Sequence, residues 1–176
     1  SMTLDKWTQK AQQALQAAQT AAQERSHAAF DSEHLALALV TQADGIVPPL
    51  LDKAGVEVSR LVLELEAELG RRPTVQGGAD VYPSNDLQAA LKAALAEAKG
   101  LKDEYVSTEH LFLGLLEKGG DSFRRIADRL GLKRDAVLKA LSAVRGNQRV
   151  SDANPEEKFQ TLEKYGKDLT ALARKG

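Results

Sequence analysis

The sequence predicts an all-α protein: a pseudo-twofold double repeat of four helices each, followed by a C-terminal helical linker. Its composition is rich in strong helix formers, and aromatic residues make up only 5% of it. The phrase Glu33-His34-Leu35 recurs 76 residues later as Glu109-His110-Leu111, and Gly55 recurs as Gly131 at the same offset. An ungapped offset of this kind is typical of an internal duplication.

We expect residues 1–3 to be a short leader and residues 4–70 to form the first repeat. An apolar stripe at helical spacing predicts a first helix over residues 4–25, with Thr3 as its N-cap. The stripe consists of Trp7, Ala11, Ala14, Leu15, Ala18 and Ala22.

A cap at Asp31 opens the second helix, and Glu33 then lies in its first turn, beside the positive end of the helix dipole. The body of this helix, residues 35–40, is apolar on all sides, which predicts a central buried helix. Two prolines at 48–49 open the third helix, and Gly55 ends it. An amphipathic pattern predicts the fourth helix, with Val58, Leu61, Val62, Leu65 and Leu69 on its apolar side.

Residues 71–83 hold two prolines and two glycines and interrupt the periodicity, so they are predicted to link the repeats. Residues 84–146 form the second repeat. Ser107 caps its second helix, and Gly131 ends its third. The apolar positions of its first, third and fourth helices are Leu87, Leu91, Ala94, Leu95, Ala98, Phe123, Ile126, Leu130, Val137, Leu138, Leu141 and Val144. Residues 147–176 form a connector, with a helix beginning near Asn154.

Several classes of function are disfavoured. A net charge of −1 argues against a dedicated nucleic-acid partner, and the sequence has no cysteine. It contains neither of the phosphate-binding loops G-x-x-x-x-G-K-[ST] and G-x-G-x-x-G. We therefore predict that the chain is not an enzyme and needs no cofactor. His34 and His110 lack a second histidine at i+4, which argues against a metal site. No apolar run reaches the roughly 20 residues needed to cross a membrane. We expect a cytoplasmic, monomeric domain.

Residues 126–141 offer one alternative, because they resemble a helix-turn-helix with Lys133, Arg134 and Lys139 nearby. The corresponding segment of the first repeat keeps the glycine turn but carries Glu57 and Glu64 among its charged residues. A turn geometry that persists while the charge reverses indicates a structural role for this segment, so DNA binding is the remote alternative.

The doubled S/T-E-H-L phrase with glycine-ended third helices resembles the amino-terminal domain of the Clp family of AAA+ unfoldases, over residues 4–146. The tail R-V-S-D-A-N-P-E-E-K-F resembles the segment that leads to the first ATPase module in the disaggregase branch. The resemblance implies a non-catalytic domain that binds unfolded or aggregated polypeptides. In the parent protein it would serve an AAA+ hexamer that works with a DnaK-type co-chaperone. The alternative is an adaptor-docking domain of a ClpA- or ClpC-type unfoldase.

The resemblance also implies a set of substrate-binding residues: Thr8, Asp103, Glu109, Glu33, Leu91, Leu95 and His110. Glu33 and Glu109 would form an acidic pair in exposed first turns, able to receive a positively charged ligand. Leu91 and Leu95 would line an apolar groove, although His110 and Glu97 are polar where some relatives carry leucine. A purely structural role stays open for Thr8, Asp103 and Glu109.

Overall fold

A computed structural model describes residues 6–77 and 80–156, which contain eight helices and two very short strands. The helices are α1 Gln9–Glu24, α2 Ser32–Thr41, α3 Val47–Lys53, α4 Val58–Gly70, α5 Asn85–Gly100, α6 Thr108–Lys118, α7 Asp121–Arg129 and α8 Arg134–Arg145. The strands are β1 Ala29–Phe30 and β2 Tyr82–Pro83. The predicted all-α class is confirmed. Helices α5, α6 and α8 each begin 76 residues after α1, α2 and α4.

The first helix begins later than the sequence predicted. Thr8 caps it, because its hydroxyl accepts the Ala11 N–H at 3.2 Å. Trp7 is therefore not on the helical stripe; it forms a parallel bridge with Val106 instead. The Thr8 N–H donates to the Val106 carbonyl at 2.9 Å, which holds this stretch extended. The predicted cap at Thr3 lies outside the described residues.

Helices α2 and α6 are the buried centre of the molecule, as predicted. Leu35, Leu39, Leu111 and Leu113 are fully or almost fully buried. Helix α6 packs on α5 at close range, since a Cβ added to Gly114 would lie only 2.3 Å from the Ala90 carbonyl oxygen. The two halves share one core, in which α2 packs on α6 and α3 packs on α8.

Glycines end the third helix of each half, as predicted. Gly55 follows α3 with φ +83°, and Gly131 follows α7 with φ +65°. Both angles lie in the left-handed region, where a side chain is strained, so glycine suits these positions.

Between the halves, residues 71–77 and 80–83 are more ordered than the proline and glycine content of this segment indicated. Tyr82–Pro83 pairs in parallel with Ala29–Phe30. The Val75 N–H also donates to the Ser26 carbonyl at 2.8 Å. This segment therefore lies along the residues that lead into α2 and brings Arg72 beside that helix.

Beyond α8, residues 147–156 lie against the domain, and Val150 is completely buried. The predicted connector helix with Phe159, Leu162, Tyr165, Leu169 and Leu172 falls outside the described residues. Within residues 6–77 and 80–156, none of the helices has the length and apolar character required to cross a membrane.

Candidate functional site

A first polar cluster, formed by Asp31, Glu33, Glu68 and Arg72, surrounds the start of α2. The Arg72 guanidinium donates to Asp31 at 2.8 Å and also forms an ion pair with Glu33. Ser122 of α7 donates to the Glu33 carboxylate at 3.2 Å. The Glu33 side chain is only 1% exposed. Its burial and the negative charge of Asp31 raise its pKa, although Arg72 opposes the change. Glu33 is therefore already neutralised by a cation of its own chain.

A pair of histidines adjoins this cluster. The Asp31 N–H donates to His34 Nδ1 at 2.9 Å, so this nitrogen carries no proton. His34 Nε2 then holds the proton and donates it to His27 Nδ1, 2.9 Å away. Burial, together with the neighbouring His27, lowers the pKa of His34 to about 4. The pair is thus a neutral hydrogen-bonded chain that completes the helix cap.

A second polar cluster lies at the start of α6 and consists of Asp103, Ser107, Glu109, His110 and Arg145. Asp103 accepts from His110 Nε2 at 2.7 Å and from an Arg145 guanidinium N–H. The Ser107 N–H donates to His110 Nδ1 at 2.8 Å, and the Ser107 hydroxyl donates to Glu109. Burial by itself would raise the pKa of Asp103, but the bonds from His110 and Arg145 lower it to about 2. Asp103 is a buried carboxylate at neutral pH.

The starts of α2 and α6 share a plan, but the partner of the histidine differs between them. The 76-residue offset places Asp103 at the position of His27. His34 and His110 therefore each bond to a residue seven positions earlier in the chain. In the first half the partner is a histidine, and in the second half it is an aspartate. The 76-residue offset already contains this equivalence, which was not among the predictions from the sequence.

The structure brings Asp103, Glu109 and His110 together, with Thr8 on the adjoining start of α1. Glu33 belongs to the other cluster. All five of these side chains are buried. The prediction that the first turns bearing Glu33 and Glu109 are exposed was wrong, because each acid is covered by an arginine from a distant part of the chain. Their contact with a substrate stays a prediction.

Leu91 and Leu95 lie on α5, and Leu95 lines a cavity that Asp103 also lines. Leu91 belongs mainly to the core, whereas Leu95 is half-buried beside a cavity of about 520 Å³ next to Val106.

A more open groove of about 670 Å³ also runs along α5, between the end of α6 and the start of α8, and it shares Ala96 with the first cavity. Its floor is formed by Ala89, Ala93 and Ala96. These alanines follow an i, i+4, i+7 pattern, which is the signal by which the sequence could have revealed the groove. The charged residues around the floor are Lys92, Glu97, Glu117, Lys118 and Arg134. Arg134 is held by two hydrogen bonds to Glu97, at 2.9 and 2.7 Å. This basic residue of the suspected helix-turn-helix is therefore engaged within the domain.

A third cavity, of about 400 Å³, lies between the C-terminal ends of α5 and α8 and is lined by Lys102, Arg145 and Arg149. Lys102 and Arg145 lie at the C-terminal ends of α5 and α8, where cations complement the negative end of a helix dipole. In the part of the chain that the structure describes, no three His, Cys, Asp or Glu side chains are grouped so as to hold a metal ion.

Comparison with known proteins places the chain in a family. The Clp repeat (R) N-terminal domain profile matches residues 6–130. The chaperone protein ClpB of Nitratidesulfovibrio vulgaris is 48% identical over 99% of this chain, which corresponds to 21% of that protein. The chain thus spans about a fifth of the length of the curated relatives it matches.

Solved structures show the same fold. The Hsp104 N-terminal domain from Candida albicans superposes with a TM-score of 0.74 at 23% identity, covering 85% of this chain and 98% of that one. A ClpV N-domain in complex with a VipB peptide superposes with a TM-score of 0.63 at 19% identity, covering 79% and 86%. The chain belongs to the Clp amino-terminal repeat domain family, and within it the chain is similar to the N-terminal part of ClpB chaperones.

Proposed function

We propose that this chain is the non-catalytic substrate-recognition domain of an ATP-dependent, cytoplasmic protein disaggregase. It binds unfolded or aggregated polypeptide and helps deliver it to an AAA+ hexamer that works with a DnaK-type co-chaperone. The likeness to ClpB over nearly the whole chain supports a disaggregase as the parent protein. The peptide bound to a ClpV N-domain supports a polypeptide as the ligand.

The observation that carries the proposal is the groove along α5. Its alanine floor leaves room for the apolar side chains of an extended polypeptide, which are what an unfolded chain exposes and a folded one hides. Lysines and a glutamate at the edge, Lys92, Lys118 and Glu117, offer both signs of charge to the backbone and polar side chains. A shallow, small-residue floor with mixed charge suits weak and promiscuous binding rather than recognition of one sequence.

The test places a charge in the groove. Ala96 is exposed on α5, and we expect Ala96→Asp to weaken binding of a fluorescently labelled, permanently unfolded polypeptide about tenfold, or ~1.4 kcal/mol, measured by anisotropy. The matched control is Ala17→Asp, which makes the same change at an exposed alanine of α1 outside the groove. The melting temperatures of both variants should stay close to that of the parent.

The groove is the wrong site if Ala96→Asp binds as tightly as the parent chain. The same conclusion follows if both variants lose equal affinity, since a general effect of negative charge would then explain the loss.

A further inference from the structure

The described part of the connector, residues 147–156, is fastened to the domain at three points. The Val150 N–H donates to Asp103 Oδ1 at 2.9 Å, and the Glu104 N–H donates back to the Val150 carbonyl at 2.9 Å. Further along, the Gln9 N–H donates to the Ala153 carbonyl at 3.0 Å. Val150 and Glu156 are buried. We call residues 147–156 the strap.

The strap lies over the polar residues that the family resemblance assigned to substrate binding. Asp103, whose side chain is 0% exposed, accepts the strap's Val150 N–H directly. Thr8 caps α1 and so positions the N–H of the next residue, Gln9, which binds the strap at Ala153. Glu109 lies 3.9 Å from the guanidinium of Arg145, which also donates to Asp103. Thr8 and Glu109 are buried as well.

We infer that Thr8 and Asp103 are positioning residues that dock the strap on the domain, and that Glu109 supports them through Arg145, which lies 3.9 Å from Glu109 and also binds Asp103. They act through the connector and do not touch the polypeptide. A buried carboxylate that already accepts from His110, Arg145 and Val150 has no surface to offer a substrate. This inference concerns the connector and stands whether or not the α5 groove binds polypeptide.

Asp103 is the centre of this arrangement because its two carboxylate oxygens join three parts of the fold. One oxygen accepts from His110 in the first turn of α6, and the other accepts from Arg145 at the end of α8 and from the strap. Loss of its charge weakens the hold on all three partners at once. Hydrogen bonds to a charged acceptor contribute more than neutral ones, so the strap is sensitive to this single charge.

Glu156 adds a dependence of docking on pH. Burial and the charge of Glu109 raise the pKa of Glu156 to about 7, from 4.5. Lys10 of α1 opposes the change, Asp152 of the strap reinforces it, and Arg145 of α8 lies 3.9 Å from Glu109. Since the docked state holds the proton more tightly, the stabilisation is complete below pH 4.5 and is lost as the pH rises through 7.

The test uses the full chain and the variant Asp103→Asn, with amide hydrogen exchange measured by NMR. We expect exchange at Glu104 and Val150 to speed up at least tenfold, and trypsin cleavage after the exposed Arg149 to speed up with it. Exchange at Leu39, in the buried centre of α2, should stay slow. The matched control, Asp31→Asn, removes a carboxylate from the first cluster and should leave the strap protected.

A second variant keeps the test decisive if Asp103→Asn does not fold. Val150→Ser removes the buried anchor and leaves both clusters intact. It should release the strap and raise the pKa of Asp103 above about 2, because the Val150 N–H contributes to that low pKa. Binding of the unfolded polypeptide to the isolated chain should not change. The inference is overturned if the strap stays protected in a folded Asp103→Asn chain. It is also overturned if Val150→Ser leaves both the protection of the strap and the pKa of Asp103 unchanged. A third contradicting result is an Asp103→Asn chain that binds polypeptide more weakly while the strap remains docked.

Discussion

The close contact between α5 and α6 makes Gly114→Ala a direct test of the packing. A Cβ at this position would lie 2.3 Å from the Ala90 carbonyl oxygen, 2.8 Å from the Ala94 backbone nitrogen and 3.1 Å from the Ala94 Cβ. Two of these atoms belong to the backbone of α5, so no side-chain rotation relieves the clash. The two helices must separate by about 1 Å to restore ordinary van der Waals contact.

The expected loss follows from two opposing terms. Overpacking of a tight interface costs about 1–3 kcal/mol, and backbone clashes belong at the upper end of that range. Replacing glycine by alanine inside a helix returns about 1 kcal/mol. We therefore expect Gly114→Ala to lower the free energy of unfolding by about 2 kcal/mol, and the melting temperature by roughly 4–8 °C for a domain of this size. Urea unfolding followed by far-UV circular dichroism measures the first quantity, and a thermal scan measures the second.

Gly100→Ala is the matched control, because Gly100 ends α5 and has no atom within 4 Å of an added Cβ. Its stability should stay the same or rise by up to about 1 kcal/mol. The proposed contact is refuted if Gly114→Ala is as stable as the parent chain. An equal loss in Gly100→Ala would refute it too, since alanine would then be unfavourable near these helices for another reason.

Two further predictions concern the first cluster. Arg72→Met should destabilise the chain by about 2–3 kcal/mol in urea unfolding, because it leaves the Glu33 carboxylate buried without its cation. The double variant Arg72→Met, Glu33→Gln should recover part of that loss. If it recovers none, the ion pair does not explain the loss. Because the pKa of His34 is low in the folded chain, neutral His34 stabilises the fold fully above the ordinary histidine pKa of 6.5. This stabilisation is lost as the pH falls from 6.5 towards 4, and the loss between pH 7 and pH 5 is about 2 kcal/mol of unfolding free energy. Since His34→Gln removes this titration, the variant should lose correspondingly less stability than the parent over the same interval, and an identical pH dependence would show that His34 is not responsible.

The helices were predictable because their signals are local. Pro48 and Pro49 at the start of α3, and Gly55 at its end, act on the chain within a few residues. The start of α1 was not predictable in this way, because Trp7 follows a helical pattern but is held extended by Val106, a residue far along the sequence. Arg72 shows the same limit: nothing near it in the sequence indicates that it pairs with Glu33.

Composition, caps and repetition are signals carried by neighbouring residues, and the all-α class, the starts of several helices, the 76-residue offset and the family resemblance followed from them. The burial and the partners of Glu33, Asp103 and Glu109 could be seen only in the three-dimensional structure. A carboxylate at the start of a helix is equally consistent with an exposed ligand site and with a buried ion pair. The outcome depends on which distant arginine or backbone N–H the fold brings to it, and here Arg72, Arg145 and the strap cover all three.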